Sequence, residues 1–143
     1  MKSLVLWAGT PLLAGSSLLA AMALGAFPAS AQAVTPEVQR LGASQVTLYL
    51  HPFLTPEETA ALRMVAANEQ ALGLFVPRPG RHAAIAIAPA EGFIRAGQPV
   101  PSATAMSDLP DAAAARAAAL QGCETARKTG EACVVVLEVA PFR

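Results

Sequence analysis

The sequence predicts an α+β fold, with a small sheet of three to four strands and two helices on one face. Three observations lead to this prediction. Short apolar segments alternate with the period of two that is typical of strands. Two longer segments begin with helix-capping residues, and turns rich in Gly and Pro separate the segments. The order strand, helix, strand, short strand, helix, strand suggests a ferredoxin-like arrangement.

The N-terminal segment has the layout of a secretory signal peptide. Lys2 precedes a Leu- and Ala-rich run, and small residues around Ala31 and Ala33 fit the small-x-small cleavage pattern. The run is close to the roughly 20 residues that a membrane-spanning helix needs, so an uncleaved anchor is the alternative. The sequence favours a signal peptide over residues 1–33, cleaved at 31/32 or 33/34.

One small α+β domain is predicted over residues 34–143, in the periplasm or secreted. The whole chain holds ten basic and ten acidic residues, and a neutral domain lacks the electrostatic footprint of a nucleic-acid or anionic-membrane binder. We therefore expect an unidentified protein or small molecule as the partner, without nucleic acid and without membrane contact after processing. No cofactor and no metal are predicted.

The first half of the domain is predicted as a lead-in, a strand and a helix. Residues 34–44 are expected to be irregular, and the alternation in QVTLYLH, residues 45–51, indicates a half-buried strand. In TPEE, Thr55 and Glu58 form a capping box around a proline at the first helical position. This helix is predicted to run to Leu72, with Gly73 as its terminator.

The second half begins with HAAIAIAPA, which is predicted as a buried strand. Ile85 and Ile87 share one face, and the alanines of the other face would let a helix pack closely. The following segment is expected to form either a short strand around residues 93–96 that folds back as a hairpin, or an ordered loop.

A second helix then begins at a cap, Ser107 or Asp108, and ends near Gly130. Its predicted inward stripe consists of Leu109, Ala113, Ala117, Leu120 and Cys123.

The last strand, CVVVLEV, is predicted to be central because it is almost uninterrupted in its apolar character. Strict alternation would place Val135, Leu137 and Val139 on one face. Val134 and Val136 would then lie on the other face.

Cys123 and Cys133 are the two cysteines of the chain. They are compatible in principle with a metal site, a redox couple, a nucleophile or a structural bridge. The spacing is not C-x-x-C, and zinc would need two further ligands that the histidines are not spaced to supply. An exported chain enters an oxidising compartment, so a disulfide is predicted. The chain-entropy model gives about 2.7 kcal/mol for a loop of this length.

The sequence offers no convergent catalytic set, and no catalytic residue is predicted. The most suggestive charged group is Arg78, Arg81 and Arg95 with His82, around the AAIAIAP strand. If these side chains meet at one rim, they form a possible ligand-binding site for a carboxylate or a phosphate. His51 and His82 are the candidate bases of an alternative, enzymatic interpretation.

The segments HAAIAIAPAEGF, DAAAARAAALQGC and CVVVLEVAP resemble a group of small exported alphaproteobacterial proteins of unassigned function. In that group an AAIA strand precedes an alanine-rich helix, and paired cysteines link the helix to a valine strand. The resemblance covers residues 82–141 and implies a class, not an activity. Similar short chains carry a 5-aminolevulinate synthase label. That chemistry requires a lysine Schiff base with pyridoxal phosphate in a large fold, and Lys128, the one lysine after residue 33, follows a predicted helix end.

Two functions therefore follow from the sequence. The first is a non-enzymatic exported module that binds a partner protein or a small ligand. The second is a small exported enzyme that uses a histidine base with the arginine rim. A cleft that holds a histidine, an acid and arginines together would weaken the first interpretation.

Overall fold

A computed structural model describes residues 34–142, and the predicted signal peptide, residues 1–33, lies outside the described residues. Ten elements follow one another along this part of the chain. They are β1 (Glu37–Leu41), β2 (Ser44–Leu48), α1 (Pro56–Ala67), α2 (Glu69–Phe75), β3 (His82–Ile87), β4 (Ile94–Arg95), β5 (Gln98–Pro99), β6 (Thr104–Leu109), α3 (Ala112–Ala126) and β7 (Val134–Pro141).

The fold is α+β, as predicted, and its main sheet is antiparallel with the order β1-β2-β7-β3-β6. The last strand lies between β2 and β3, so its central position is confirmed. The sheet has five strands and is thus larger than the predicted three to four. The two outermost strands were missed: β1 lies in the predicted lead-in, and β6 includes the predicted cap of the second helix. A separate hairpin, β4 with β5, confirms the expected fold-back after Phe93.

The helices lie on both faces of the sheet, so the prediction of two helices on one face is wrong. Strand β3 shows the reason, because its side chains alternate between two cores. Ile85 and Ile87 join one core with Leu62 of α1 and Leu72 of α2. The alanines of the other β3 face pack with α3 in a second core, which we call the α3 core. It comprises Ala84, Ala86, Ala88, Ala115, Ala119, Cys123 and Cys133. The predicted close packing of a helix on these alanines is confirmed, whereas a ferredoxin-like arrangement is not shown.

The predicted helix after Thr55 is two helices. Its start is confirmed: the Thr55 hydroxyl accepts from the Glu58 amide, and Glu58 reaches back to the Thr55 amide. The helix breaks at Asn68, whose side chain accepts a hydrogen bond from the Ala71 amide at 3.0 Å and so caps α2. Gly73 lies within α2 and does not terminate it.

Helix α3 begins later than predicted. Asp111 is its cap and accepts from the Ala114 amide at 2.8 Å, while Ser107 and Asp108 belong to β6. The later start goes with a different inward face, formed by Ala115, Ala119 and Cys123. Ala113 and Ala117, assigned to the inward stripe from sequence, are exposed.

Strand β7 contains a bulge that the period-two pattern does not reveal. Its pairing with β3 shifts register between Leu137 and Val135, and Val136 and Leu137 both enter the core under α1 and α2. Val135 consequently packs against the α3 core instead of sharing the face of Leu137. The bulge therefore sets which side chains of β7 face α3, and Glu138 is among them.

The predicted disulfide is present: Cys123 near the end of α3 is bonded to Cys133 just before β7, with their Cα atoms 6.2 Å apart. Both residues belong to the α3 core, at 0% and 8% exposure. The loop between them is also held by polar contacts. Glu124 accepts from the Cys133 amide at 2.6 Å, and Glu91 accepts from the Lys128 amide at 2.6 Å.

Candidate functional site

One face of the sheet is only partly covered. Helix α3 packs against β3, β6 and β7, whereas α1 packs against β1 and β2 on the opposite face. The side of β2 that faces α3 therefore lacks a covering helix among the described elements. A groove runs at this place, lined by α3 on one side and by β2, the residues just after β2 and β7 on the other.

We call this feature the α3 groove. Its larger hollow has a volume of about 380 Å³ and is lined by Val34, Tyr49, His51, Arg116, Leu120, Cys133, Val134, Val135 and Glu138. A smaller hollow of about 180 Å³ adjoins it and shares Arg116 and Glu138. Gln45 and Thr47 of β2 line this second part. Arg116 and Glu138 thus stand between the two hollows of the groove, whose walls mix apolar and polar residues.

Three side chains meet at the middle of the groove, one from α3, one from β7 and one from the segment just after β2. The Tyr49 hydroxyl donates to Glu138 Oε2 at 2.5 Å. Arg116 donates through Nε to Oε1 at 2.9 Å and through Nη2 to Oε2 at 2.8 Å. This is the bidentate geometry of a guanidinium on a carboxylate. The side chain of Glu138 is 13% exposed and that of Arg116 is 53% exposed.

These contacts fix the charges of the three groups. Burial acts to raise the pKa of Glu138, but hydrogen bonds from Arg116 and Tyr49 outweigh it, and the pKa is lowered. Burial and the bond to Glu138 raise the pKa of Tyr49, and the same carboxylate raises the pKa of Arg116. At neutral pH the cluster is a carboxylate, a phenol and a guanidinium. The three shifts thus move the pKa of each group further from neutral pH.

His51 lies at one end of the groove, after β2. Its Nε2 is 3.1 Å from the carbonyl oxygen of Val135, and since a carbonyl only accepts, Nε2 carries the proton. The ring also stacks on Phe53, with centroids 5.2 Å apart. His51 therefore shares the groove with an acid and an arginine, the combination that weakens a purely non-enzymatic interpretation.

The predicted arginine rim is only partly assembled. Arg78 and Arg81 both contact Asp108. Arg78 donates to the Asp108 carboxylate at 2.9 Å. Arg81 donates to the Asp108 main-chain oxygen, through Nε at 3.1 Å and through Nη2 at 2.5 Å. His82 is adjacent, at the start of β3. Its Nδ1 and the Oδ1 of Asp108 are buried without a hydrogen-bond partner among the described residues. Both arginines are thus already engaged by one aspartate.

Arg95 does not belong to that group. It donates through Nη1 to Glu58 at 2.6 Å, in the hairpin beyond the far end of β3, whereas Arg81 precedes β3. A strand of this length spans about 17–20 Å. The three arginines considered from the sequence therefore do not meet at one rim, because the buried carboxylate of Glu58 holds Arg95 elsewhere.

The three central groove residues were not singled out from the sequence, although each interrupts its surroundings. Arg116 is the one charge within an alanine run, Glu138 interrupts an apolar strand, and Tyr49 directly follows β2, in alternation with its polar residues Gln45 and Thr47. A charged residue amid an apolar segment has to find a partner. The sequence pattern does not reveal which residue that partner is.

Comparison with known protein families, curated proteins and solved structures finds no match. The resemblance to small exported proteins therefore stays a prediction. Within residues 34–142, no set of three or more His, Cys, Asp and Glu side chains is arranged to hold a metal ion. In the same part of the chain, no helix combines the length and the apolar character needed to cross a bilayer.

Proposed function

We propose that this chain is an exported, non-enzymatic binding module whose ligand or partner occupies the α3 groove. The observation that carries the proposal is the meeting of Tyr49, Arg116 and Glu138 in the middle of an open, partly apolar groove. A few convergent polar groups within apolar walls are typical of ligand sites. The disulfide supports export, because such bonds persist in oxidising compartments.

The groove is a better candidate than the Arg78–Arg81 pair. That pair lines a hollow of about 240 Å³ on another side of the domain, with Glu69 also in its wall. Both arginines there already bond to Asp108. A ligand anion there would meet the carboxylates of Glu69 in the wall and of Asp108 on Arg78, whereas Glu138 is the one acid among the described lining residues of the α3 groove.

A small exported enzyme is the second candidate, and the observation in its favour is His51 in the same groove as Glu138 and Arg116. The groove offers such an enzyme few catalytic groups. The larger hollow has no serine or threonine among its described lining residues, and the sulfur of Cys133 is in a disulfide. Covalent catalysis through these nucleophiles is therefore unsupported, and His51 would have to act as a general base on a bound water.

Filling the groove is expected to abolish binding. Leu120 of α3 lines the larger hollow, and Leu120→Trp would place an indole in it. We expect small organic fragments that bind the wild type, detected by ligand-observed NMR, to lose affinity at least about tenfold in this variant. The natural ligand, if it copurifies from the producing cells, should be lost as well.

The matched control is Leu74→Trp, since Leu74 of α2 is 85% exposed and lies outside the groove. It makes the same substitution without filling the hollow, and its fragment binding should equal that of the wild type. Equal affinity in Leu120→Trp, or an equal loss in both variants, would contradict the proposal. A hydrolytic activity that disappears in His51→Gln while fragment binding persists would favour the enzyme.

A further inference from the structure

The guanidinium of Arg116 has two edges, and Glu138 uses one of them. Its carboxylate takes Nε and Nη2, so Nη1 and the second hydrogen of Nη2 point along the other edge. Because the bidentate bond fixes the plane of the group, this second edge is oriented in advance. Arg116 also lines both hollows and its side chain is 53% exposed, so a ligand in the groove can reach this second edge.

The second edge matches a planar, two-oxygen acceptor. A carboxylate accepts two parallel N–H bonds from a guanidinium fork, and a group held in advance loses less freedom on binding. Tyr49 strengthens this orientation, because its hydroxyl bonds to the same oxygen of Glu138 as Nη2 does. The three residues therefore hold an arginine ready for a second acid.

Charge and lining limit which anion fits. The charged residues in the larger hollow are Arg116 and Glu138, which neutralise each other, with His51 as a further titratable group. Such a site tolerates one added negative charge better than the two of a phosphate. Leu120 and Val134 supply apolar wall beside it, which suits an organic body attached to the anion.

We propose that the α3 groove recognises an organic ligand through a carboxylate group, which binds the outer edge of the Arg116 guanidinium. The inference rests on the proposed function, since it names the chemical class that the same groove takes. The carboxylate is either that of a small organic acid or that of a peptide, and Arg116 contacts it in the same way in both.

The test uses two probes of the same shape, butyrate and butyramide, with inorganic phosphate as a third. Each is titrated into the purified, disulfide-bonded protein while amide and arginine side-chain NMR signals are followed. We expect saturable shifts at Arg116, Tyr49 and Val135 with butyrate, and at least about tenfold weaker responses to butyramide and phosphate. A peptide with a free C-terminal carboxylate and its amidated form then distinguish a peptide from a small acid.

Arg63 provides a matched control variant. Its side chain is 53% exposed and bonds through Nη2 to Glu37 at 2.8 Å, the same values as Arg116 with Glu138, but it lies on α1. Arg116→Gln should weaken butyrate binding at least about tenfold, and Arg116→Lys should lose most of it because the fork is gone. Arg63→Gln should bind as the wild type does.

The inference is overturned if butyrate gives no saturable shift, if butyramide or phosphate binds as tightly, or if Arg116→Gln binds butyrate normally. Neutral fragments that still bind, and are still excluded by Leu120→Trp, would in that case leave the groove as a binding site for another ligand class. If no fragment binds either, the proposed function itself fails.

Discussion

Replacing Glu58 by Gln is expected to lower the free energy of unfolding by about 3 kcal/mol. Glu58 is completely buried, yet it accepts four hydrogen bonds. One comes from the Thr55 amide at 2.9 Å, two come from the Phe93 and Ile94 amides at 2.7 and 3.0 Å, and one comes from Arg95 at 2.6 Å. The residue thus caps α1 and also anchors the β4–β5 hairpin.

Gln cannot replace these contacts, because one end of its side chain is a donor. Whichever way the amide is turned, an NH₂ group faces a backbone N–H that needs an acceptor. Buried donors are then left without partners, which is among the more destabilising changes a single substitution makes. Urea denaturation of both proteins measures the difference.

The same carboxylate makes the protein sensitive to acid. Burial acts to raise the pKa of Glu58, but the hydrogen bonds from the three amides and Arg95 outweigh it and lower the pKa from 4.5 to about 2. The pKa of Glu58 is lower in the folded state than in the unfolded state. Its contribution to the free energy of unfolding is therefore complete above about pH 4.5 and is lost as the pH falls toward 2. We expect ionised Glu58 to account for about 3 kcal/mol of the free energy of unfolding that the wild type loses over that pH range. The Glu58→Gln variant, which lacks this carboxylate, should lose less free energy of unfolding over the same range.

Glu57→Gln is the control, since Glu57 occupies the neighbouring position and is exposed. It removes the same charge from the same helix end, so its effect should stay below about 1 kcal/mol. Equal stabilities for the two variants at neutral pH, or equal acid profiles, would show that Glu58 contributes no more than a surface helix cap.

Removing the disulfide is expected to lower the free energy of unfolding by about 3 kcal/mol. Cys123 and Cys133 close a short loop, and their side chains complete the α3 core. Changing both residues to Ala avoids leaving reactive thiols and keeps the site apolar. Denaturation of the wild type and of the double variant, each with and without reductant, gives the comparison.

Reductant should lower the stability of the wild type toward that of the double variant and leave the double variant unchanged. The contacts of Glu124 and Glu91 with the loop do not depend on sulfur, so a folded protein should remain. A wild type that is indifferent to reductant would mean that the bond contributes little to the folded state.

The fold was predictable where local chemistry decides it. The capping box at Thr55 and the split of β3 into an isoleucine face and an alanine face were read correctly, because each depends on neighbouring residues. Strands β1 and β6 were not, since they are the outermost strands and contain no fully buried residue. Ser107, Asp108 and Asp111 are all good helix caps, and the pairing of β6 with β3 decides among them.

The candidate site was less predictable, because its residues come from distant parts of the chain. Tyr49 and Glu138 are 89 positions apart, and Arg116 and Glu138 are 22 apart. The β7 bulge changes which of its residues face α3, and period-two alternation does not include it. Conversely, Arg95 was grouped with Arg78 and Arg81 for their nearness in sequence, whereas the buried Glu58 binds it at another place.

Binding of ligands in the α3 groove can be measured with an amide chemical-shift map of the protein. The oxidised, isotope-labelled protein is exposed to a fragment collection, and every backbone amide is followed. We expect the affected signals to cluster at Tyr49, Leu120 and Val135, within the α3 groove. Signals that cluster instead at Arg78, Arg81 and His82 would rule out binding in the α3 groove and would identify the Arg78–Arg81 pair as the binding site.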